Sequence, residues 1–237
     1  MIKKSIYIIF SFLCVCVFLS ACSGNTLNHS ATDTEDTLPP EYDAIIHNII
    51  NAYPWNDDDQ TIVPEQPELS DMYRHNSSLS EIGFSLIDLD NNGQKELLIS
   101  DISKPYIYDL YTISEGKVTH LFSSVDRNFY LLYENGFLEN GWLGASTTSS
   151  HDFYKLNEGK LVFIERISLD ANHALTAGVI TDLTEANEDN CFFRSDSMDE
   201  NNYKLITSDE ALSAIETYQS ANKPLNIEYT LLSEYKH

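Results

Sequence analysis

The sequence predicts an α+β fold, an antiparallel β meander flanked by an N-terminal and a C-terminal amphipathic helix. Three observations predict it. Tyr42, Ile45, Ile46, Ile49, Ile50 and Tyr53 recur at helical spacing. Three turn signals, Ser114-Glu115-Gly116, Glu134-Asn135-Gly136 and Asn157-Glu158-Gly159, each lie between aromatic and β-branched residues, the pattern of hairpins. Thr207-Ser208-Asp209-Glu210 is a T-x-x-E capping box that opens a helix carrying Leu212, Ile215 and Tyr218.

The first helix is expected to begin at Glu41 and to stop at Pro54, because the residue before a proline is pushed out of the helical region. Pro64, Pro67 and the acidic run Asp57-Asp58-Asp59 make residues 55–80 read as irregular and solvated. From Gly83 onward the chain reads as short strands. The stretch from Leu110 to Val118 and the stretch from Phe153 to Leu161 are alike at an offset of 43 residues. A repeat of that length suits a propeller, but there are too few periods to close a ring, and a meander satisfies the same pattern. The second helix should end near Ser220, and residues 225–232 read as a last strand. Sheet and helices kept apart in this way describe an α+β domain.

The chain starts with Met1-Ile2-Lys3-Lys4-Ser5, then an apolar run over residues 6–19, then Leu19-Ser20-Ala21-Cys22. A positive start, a short apolar stretch and small residues describe an export signal and not a membrane span, which needs about 20 apolar residues. The Leu-Ser-Ala-Cys ending resembles the lipobox of bacterial lipoproteins. That resemblance implies cleavage after residue 21, a diacylglyceryl group on the Cys22 thiol, and attachment to the extracytoplasmic face of the cell membrane. Residues 22–40 hold too little apolar surface to fold and are expected to form a disordered tether. Residues 41–237 then make a single acidic domain.

Without residues 1–21, which carry Lys3 and Lys4 and no acid, 12 basic residues face 37 acidic ones, a net charge of -25. That balance excludes nucleic acid as an expected partner, since phosphates need a basic patch. It also opposes lying flat on an anionic membrane, so the lipid is the expected membrane contact. Cys191 is the one thiol left after cleavage and lipidation, so an intramolecular disulfide is ruled out and the core must hold alone. Its setting beside Phe192 and Phe193 reads as a buried strand residue.

The segment Ile87-Asp88-Leu89-Asp90-Asn91-Asn92-Gly93-Gln94-Lys95-Glu96-Leu97 carries D-x-D-x-N-G with an acid at the ninth position. Calcium takes six to eight hard oxygen ligands, and alternate positions of a tight loop converge on one point. Asp88, Asp90 and Asn92 offer side-chain oxygens, Gln94 its carbonyl, and Glu96 closes the set directly or through water. Gly93 permits the sharp turn. The twelfth position is Ile99, where an EF-hand has its bidentate glutamate, and strands flank the loop on both sides. The segment resembles the D-x-D-x-D-G-x-x-D loops of integrin-α-type FG-GAP repeats. From about Ile82 to Glu115 the chain also resembles uncharacterised cell-surface lipoproteins of Gram-positive anaerobes, which implies the surface of a Gram-positive cell and the same fold class, without a reaction. Asp-Asn-Asn-Gly is equally a good metal-free hairpin turn. The two readings stand side by side: a weak, structural Ca2+ site, or a turn.

No catalytic signature accompanies the loop. The seven histidines show no H-E-x-x-H spacing, there is no G-x-S-x-G elbow, and Ser114-Glu115-Gly116-Lys117 matches S-x-x-K on a turn, not on a helix. In Ser146-Thr147-Thr148-Ser149-Ser150-His151-Asp152 the His and Asp are neighbours, and neighbours on a strand point to opposite faces. The expected function is a non-catalytic binding module for a polymer or protein partner, with Tyr130, Tyr133, Phe137, Trp142, Phe153 and Tyr154 as candidate aromatic contacts. The alternative is a cell-wall or carbohydrate hydrolase using a carboxylate pair.

Overall fold

Pro40 opens the first helix, α1 (Pro40–Asn51), one residue ahead of the expected Glu41. Proline suits that position because its missing N–H is one the first turn leaves unpaired anyway. The computed structural model describes residues 38–54, 69–144, 147–199, 202–219 and 225–236. Cys22, the signal and nearly all of the tether lie outside the described residues, as does the segment 55–68. Tyr42, Ile45, Ile46 and Ile49 of the helical stripe are buried, and Ile50 is half-buried. Tyr53, already past the end of the helix, is 37% exposed.

A 3-10 turn, Asp71–His75, seats Tyr73 in the core and leads to the sheet. The strands are β1 (Ile82–Ile87), β2 (Glu96–Asp101), β3 (Tyr106–Ser114), β4 (Lys117–Ser123), β5 (Asn128–Leu132), β6 (Phe137–Leu143), β7 (Thr148–Asn157) and β8 (Lys160–Asp170). After a short helix α2 (Ala171–Thr176) come β9 (Phe192–Ser195), β10 (Lys204–Ile206), helix α3 (Ser208–Gln219) and β11 (Thr230–Leu231). All eleven strands join one antiparallel sheet in the order β10-β9-β8-β7-β6-β5-β3-β2-β1-β11, with β4 on β3. Up to β10 every strand pairs with its neighbour in sequence, apart from β5, which returns to β3. The sheet dominates, and the three α-helices are short. Among the described residues no helix is long and apolar enough to cross a membrane.

The three expected turns form. In β3–β4 and β7–β8 both turn residues take positive φ, Glu115 at φ 53 with Gly116 at φ 72, and Glu158 at φ 50 with Gly159 at φ 68.

 Asn91, at φ 58, takes the same left-handed conformation in the β1–β2 loop. Such paired positive φ values match the right-handed twist of the flanking strands. The 43-residue likeness reaches into the register. Ser114 pairs with Lys117 and Asn157 with Lys160, and each pairing then slips by one residue, at Leu110/Tyr111 and at Phe153/Tyr154. The two slips are again 43 positions apart. A bulge of this kind bends its strand and increases the local twist.

The sheet folds over where β4 and β5 meet on the same side of β3, β4 pairing with residues 109–114 and β5 with 106–107. One contact measures the fold. The Gly159 amide, at the β7–β8 turn, donates to Asp90 Oδ2 in the β1–β2 loop at 2.9 Å. From β2 to β7 is four steps in strand order, roughly 19 Å in a flat sheet at about 4.8 Å per step. Inside the fold Leu98, Ile107, Leu110 and Phe122 meet Leu132 and Leu138, with Leu89, Tyr154 and Leu161 packed alongside. Phe122 stacks on Tyr130 at 3.7 Å between centroids.

Helix α3 begins at the expected capping box. The Thr207 amide donates to Glu210 Oε2 at 2.8 Å and the Glu210 amide to Thr207 Oγ1 at 3.2 Å. Its buried face differs from the expected one: Ala211 and Ala214 are buried, whereas Leu212 is 52% exposed. Ile215 and Tyr218 do pack against the core, Tyr218 flat on Phe153 with ring centroids 3.9 Å apart, while Leu212 lies about 100° round the helix from Ala211, off that face. The expected strand over residues 225–232 is also shorter than predicted. Only Thr230 and Leu231 pair, with Phe84 and Gly83. Leu225, Ile227 and Tyr229 instead turn into the folded sheet's core, and a side chain at Gly83 would meet Tyr229 Cβ at 2.6 Å.

Gly141 in β6 lies under the ring of Phe129 in β5, where a Cβ would come within 2.6 Å of two ring carbons. Gly141→Ala should therefore destabilise the domain by about 1–3 kcal/mol through overpacking. Adding Phe129→Leu should recover part of that loss, and denaturant unfolding of the two single variants and the double variant measures the coupling.

Candidate metal centre

The β1–β2 loop closes on itself through its acidic side chains. Asp88 Oδ1 accepts from the Asn92 amide at 3.1 Å and Oδ2 from the Gly93 amide at 3.0 Å. Asp90 Oδ1 accepts from the Asn92 amide at 3.2 Å, and its other oxygen takes the Gly159 bond. Asn91 and Gly93 have φ 58 and φ 85, the left-handed region that lets two turns follow each other so closely. Glu96 begins β2 and points inward, its Oε2 receiving the Leu89 amide at 3.0 Å and its Oε1 the Thr112 hydroxyl at 3.0 Å.

Asp88, Asp90 and Glu96 each bring a carboxylate oxygen within 4.8 Å of the others, an arrangement that could hold a metal ion. Asn92 and Gln94 also make contacts within the loop. Asn92 Oδ1 accepts from the Gln94 amide at 2.6 Å, and Gln94 Nε2 donates to the Lys95 carbonyl at 3.2 Å. Thr112 and Gly159 belong to the site as well, and sequence reasoning did not place them there. The hairpin likeness identified Gly159 as a turn, but only the folded sheet carries that turn to Asp90.

The charge balance of the site is unusual within this chain. Six carboxylates are buried among the described residues: Glu96, Asp101, Asp109, Glu139, Asp152 and Glu165. Five have a basic side chain within salt-bridge distance, namely Lys104 for Asp101, His120 for Asp109, His151 for Glu139, Arg166 for Asp152 and Arg194 for Glu165. Glu96, wholly buried, has none and faces two further acids. Burial pushes its carboxyl above the usual range, Asp90 and Asp88 add to the rise, and the Leu89 and Thr112 hydrogen bonds oppose it.

No family model, curated protein or solved structure matches this chain. Its site must therefore be read from its own geometry.

The polar residues around His151 and His120 pair within and across the strands. His151 and Asp152 point to opposite faces: His151 Nδ1 meets Glu139 Oε1 at 2.6 Å, and Asp152 Oδ1 receives Arg166 Nε at 2.6 Å. Asp109, His120 and Ser123 lie together but do not form a proton relay. Ser123 Oγ and Asp109 Oδ1 both contact His120 Nε2, at 3.1 and 3.0 Å, and the Ser123 hydroxyl donates directly to Asp109 at 2.5 Å. The imidazole cannot be oriented at one nitrogen while acting at the other. Of the six candidate aromatics, Phe153 and Tyr133 are buried, Tyr130, Phe137 and Tyr154 are half-buried, and Trp142 is 41% exposed. The thiol of Cys191 is buried and pushed up by that burial, which makes it unreactive.

Asp101, at the far end of β2, shows the compensated case. Burial raises its carboxyl, but the Ser103 hydroxyl and amide, Lys104 and Asn76 outweigh that and bring it from 3.8 to about 2. A carboxylate held below its unfolded value contributes stability above that value and loses it as the pH falls. The domain should lose about 2 kcal/mol from this group as the pH drops from 3.8 to about 2. Acid unfolding of Asp101→Asn should lack that component.

Proposed function

We propose that this protein is a lipoprotein anchored through Cys22 to the extracytoplasmic face of a bacterial membrane, most simply the surface of a Gram-positive cell. Its α+β domain acts as a non-catalytic binding module for a polymer or protein partner, and the β1–β2 loop takes Ca2+ as a weak structural ion. The fold is read as α+β because α1 and α3, though short, both bury apolar faces against the sheet.

One observation carries the calcium reading. The chain supplies a basic partner to every buried carboxylate among the described residues except Glu96, and beside Glu96 it places two more acids. Two like charges within 4.8 Å of each other cost roughly 3 kcal/mol or more at an effective dielectric of about 20. A divalent cation of hard-oxygen preference turns that repulsion into attraction. The oxygens already accept backbone N–H bonds, but a carboxylate oxygen has a second lone pair to offer. An ion there would stiffen the loop on which the Gly159 turn rests, a structural role.

Calcium at about ten times its Kd should stabilise the domain by about 1.4 kcal/mol, with Kd expected at about 0.1 to 1 mM. Thermal unfolding with calcium and with chelator checks this, and the shift should vanish in Asp90→Asn, which keeps an acceptor for Gly159. No shift in the unaltered domain removes the calcium reading. For the anchor, Cys22→Ser should move the protein from the membrane fraction to the soluble one. A variant still held by the membrane would refute lipid attachment at Cys22.

A further inference from the structure

The same loop holds an arrangement that a metal does not explain. The chain has Asn-Gly pairs at Asn92-Gly93, Asn135-Gly136 and Asn140-Gly141, and the structure treats them differently. Asn140 is buried within β6, paired on both sides. Asn92 and Asn135 are both exposed and both accept, through Oδ1, the amide two residues on. That bond is 2.6 Å for Asn92, from Gln94, and 3.1 Å for Asn135, from Phe137. The following glycine amide also differs. Gly136 donates to the Tyr133 carbonyl at 2.9 Å, whereas Gly93 donates to the Asp88 carboxylate at 3.0 Å.

We propose that Asn92 is a self-deamidation site, at which the loop converts its own D-x-D-x-N-G into D-x-D-x-D-G. The nucleophile is the Gly93 amide nitrogen and the electrophile the Asn92 side-chain carbonyl carbon. Asp88 Oδ2 already holds the Gly93 proton and receives it as nitrogen attacks, a general base in place. The Gln94 amide, bonded to Asn92 Oδ1, stabilises the negative charge that develops on that oxygen, the task of an oxyanion donor. The new bond joins Gly93 nitrogen to Asn92 Cγ, the Cγ–Nδ2 bond breaks, and Asp88 returns the proton to the departing nitrogen, which leaves as ammonia. Solvent water then opens the cyclic imide, giving a hydroxyl to one carbonyl carbon and a proton to the released nitrogen. The product is aspartate or isoaspartate at position 92. Gly93 has no side chain to hinder closure, and its Cβ position has no neighbour within 4 Å. At the Asn135 turn the same atoms meet a carbonyl where the base would be.

The product carries one more acid, so the aspartate form offers a fourth carboxylate beside Asp88, Asp90 and Glu96. The conversion uses the loop's own groups and solvent water, and does not rest on the calcium reading.

The test follows conversion at each Asn-Gly pair by peptide mass mapping of the full mature chain, incubated with chelator at neutral pH. Asn92 should convert about tenfold or more faster than Asn135, a modest share of what a positioned base supplies. In concentrated urea, where both are Asn-Gly in an unfolded chain, the ratio should fall to near one. In folded Asp88→Asn, Asn92 should slow to the Asn135 rate. Equal rates in the folded protein, a ratio that survives urea, or an unslowed Asp88→Asn would each overturn the proposal. If Asp88→Asn does not fold, the urea comparison decides alone.

Discussion

The hydrogen bond from the Gly159 amide to Asp90 joins two places that a flat sheet would keep far apart. For it to form, the strands between them must curl, and the curl is supplied locally. The register slips in β3–β4 and β7–β8 add twist where each hairpin leaves the main sheet, and the fork on β3 lets the two halves face one another. Once they do, Leu98, Leu110 and Phe122 have Leu132, Leu138 and Tyr130 to pack against. A meander that stayed flat would leave these residues half-covered. The apolar core and the acidic loop are thus consequences of one bend.

That bend also explains why the chain tolerates so much negative charge. Most of the acids are at the surface, where water screens them. All but one of the buried ones are set opposite a basic side chain on a neighbouring strand or turn, as with Asp152 and Arg166, directly across β7–β8. Removing one partner of such a pair leaves a lone buried charge, a penalty of about 3–5 kcal/mol. Both members are therefore tied to the register, and a one-residue slip would part them. Glu96 stands outside this scheme, with an amide and a hydroxyl where the others have basic side chains.

Much of the fold was legible in the sequence because its signals are local. Alternation and Gly turns marked the hairpins, the isoleucine stripe marked α1, and Thr207 with Glu210 marked the start of α3. What was not legible depends on distance. Leu212 has the right spacing for a core residue, yet the Tyr218–Phe153 stack turns the face of Ala211 and Ala214 to the sheet and leaves Leu212 to solvent. Residues 225–229 have strand composition, but they form no ladder: the Leu225 amide donates to the Leu132 carbonyl, and Leu225, Ile227 and Tyr229 pack against core side chains. For the loop, alternate acids pointed to Asp88, Asp90 and Glu96, which the structure brings together. No spacing rule could add Thr112 or Gly159, which arrive from other hairpins. The pairing of buried acids with bases was equally invisible, since it runs across strands.

The bond from the Tyr235 hydroxyl to Asp43 spans 192 positions. Tyr235 also packs edge-on against Phe84 at 5.5 Å between centroids, so α1, β1 and the tail close together. A chain emerging amino-end first would present α1 and the whole meander before the segment that seals them. Leu225, Ile227 and Tyr229 must arrive before the core is complete. Local hairpins can form early, but closure waits on contacts of the longest separation, which are the slowest to find. A polypeptide with that requirement stays loose until its last residues have been made, however early its hairpins form.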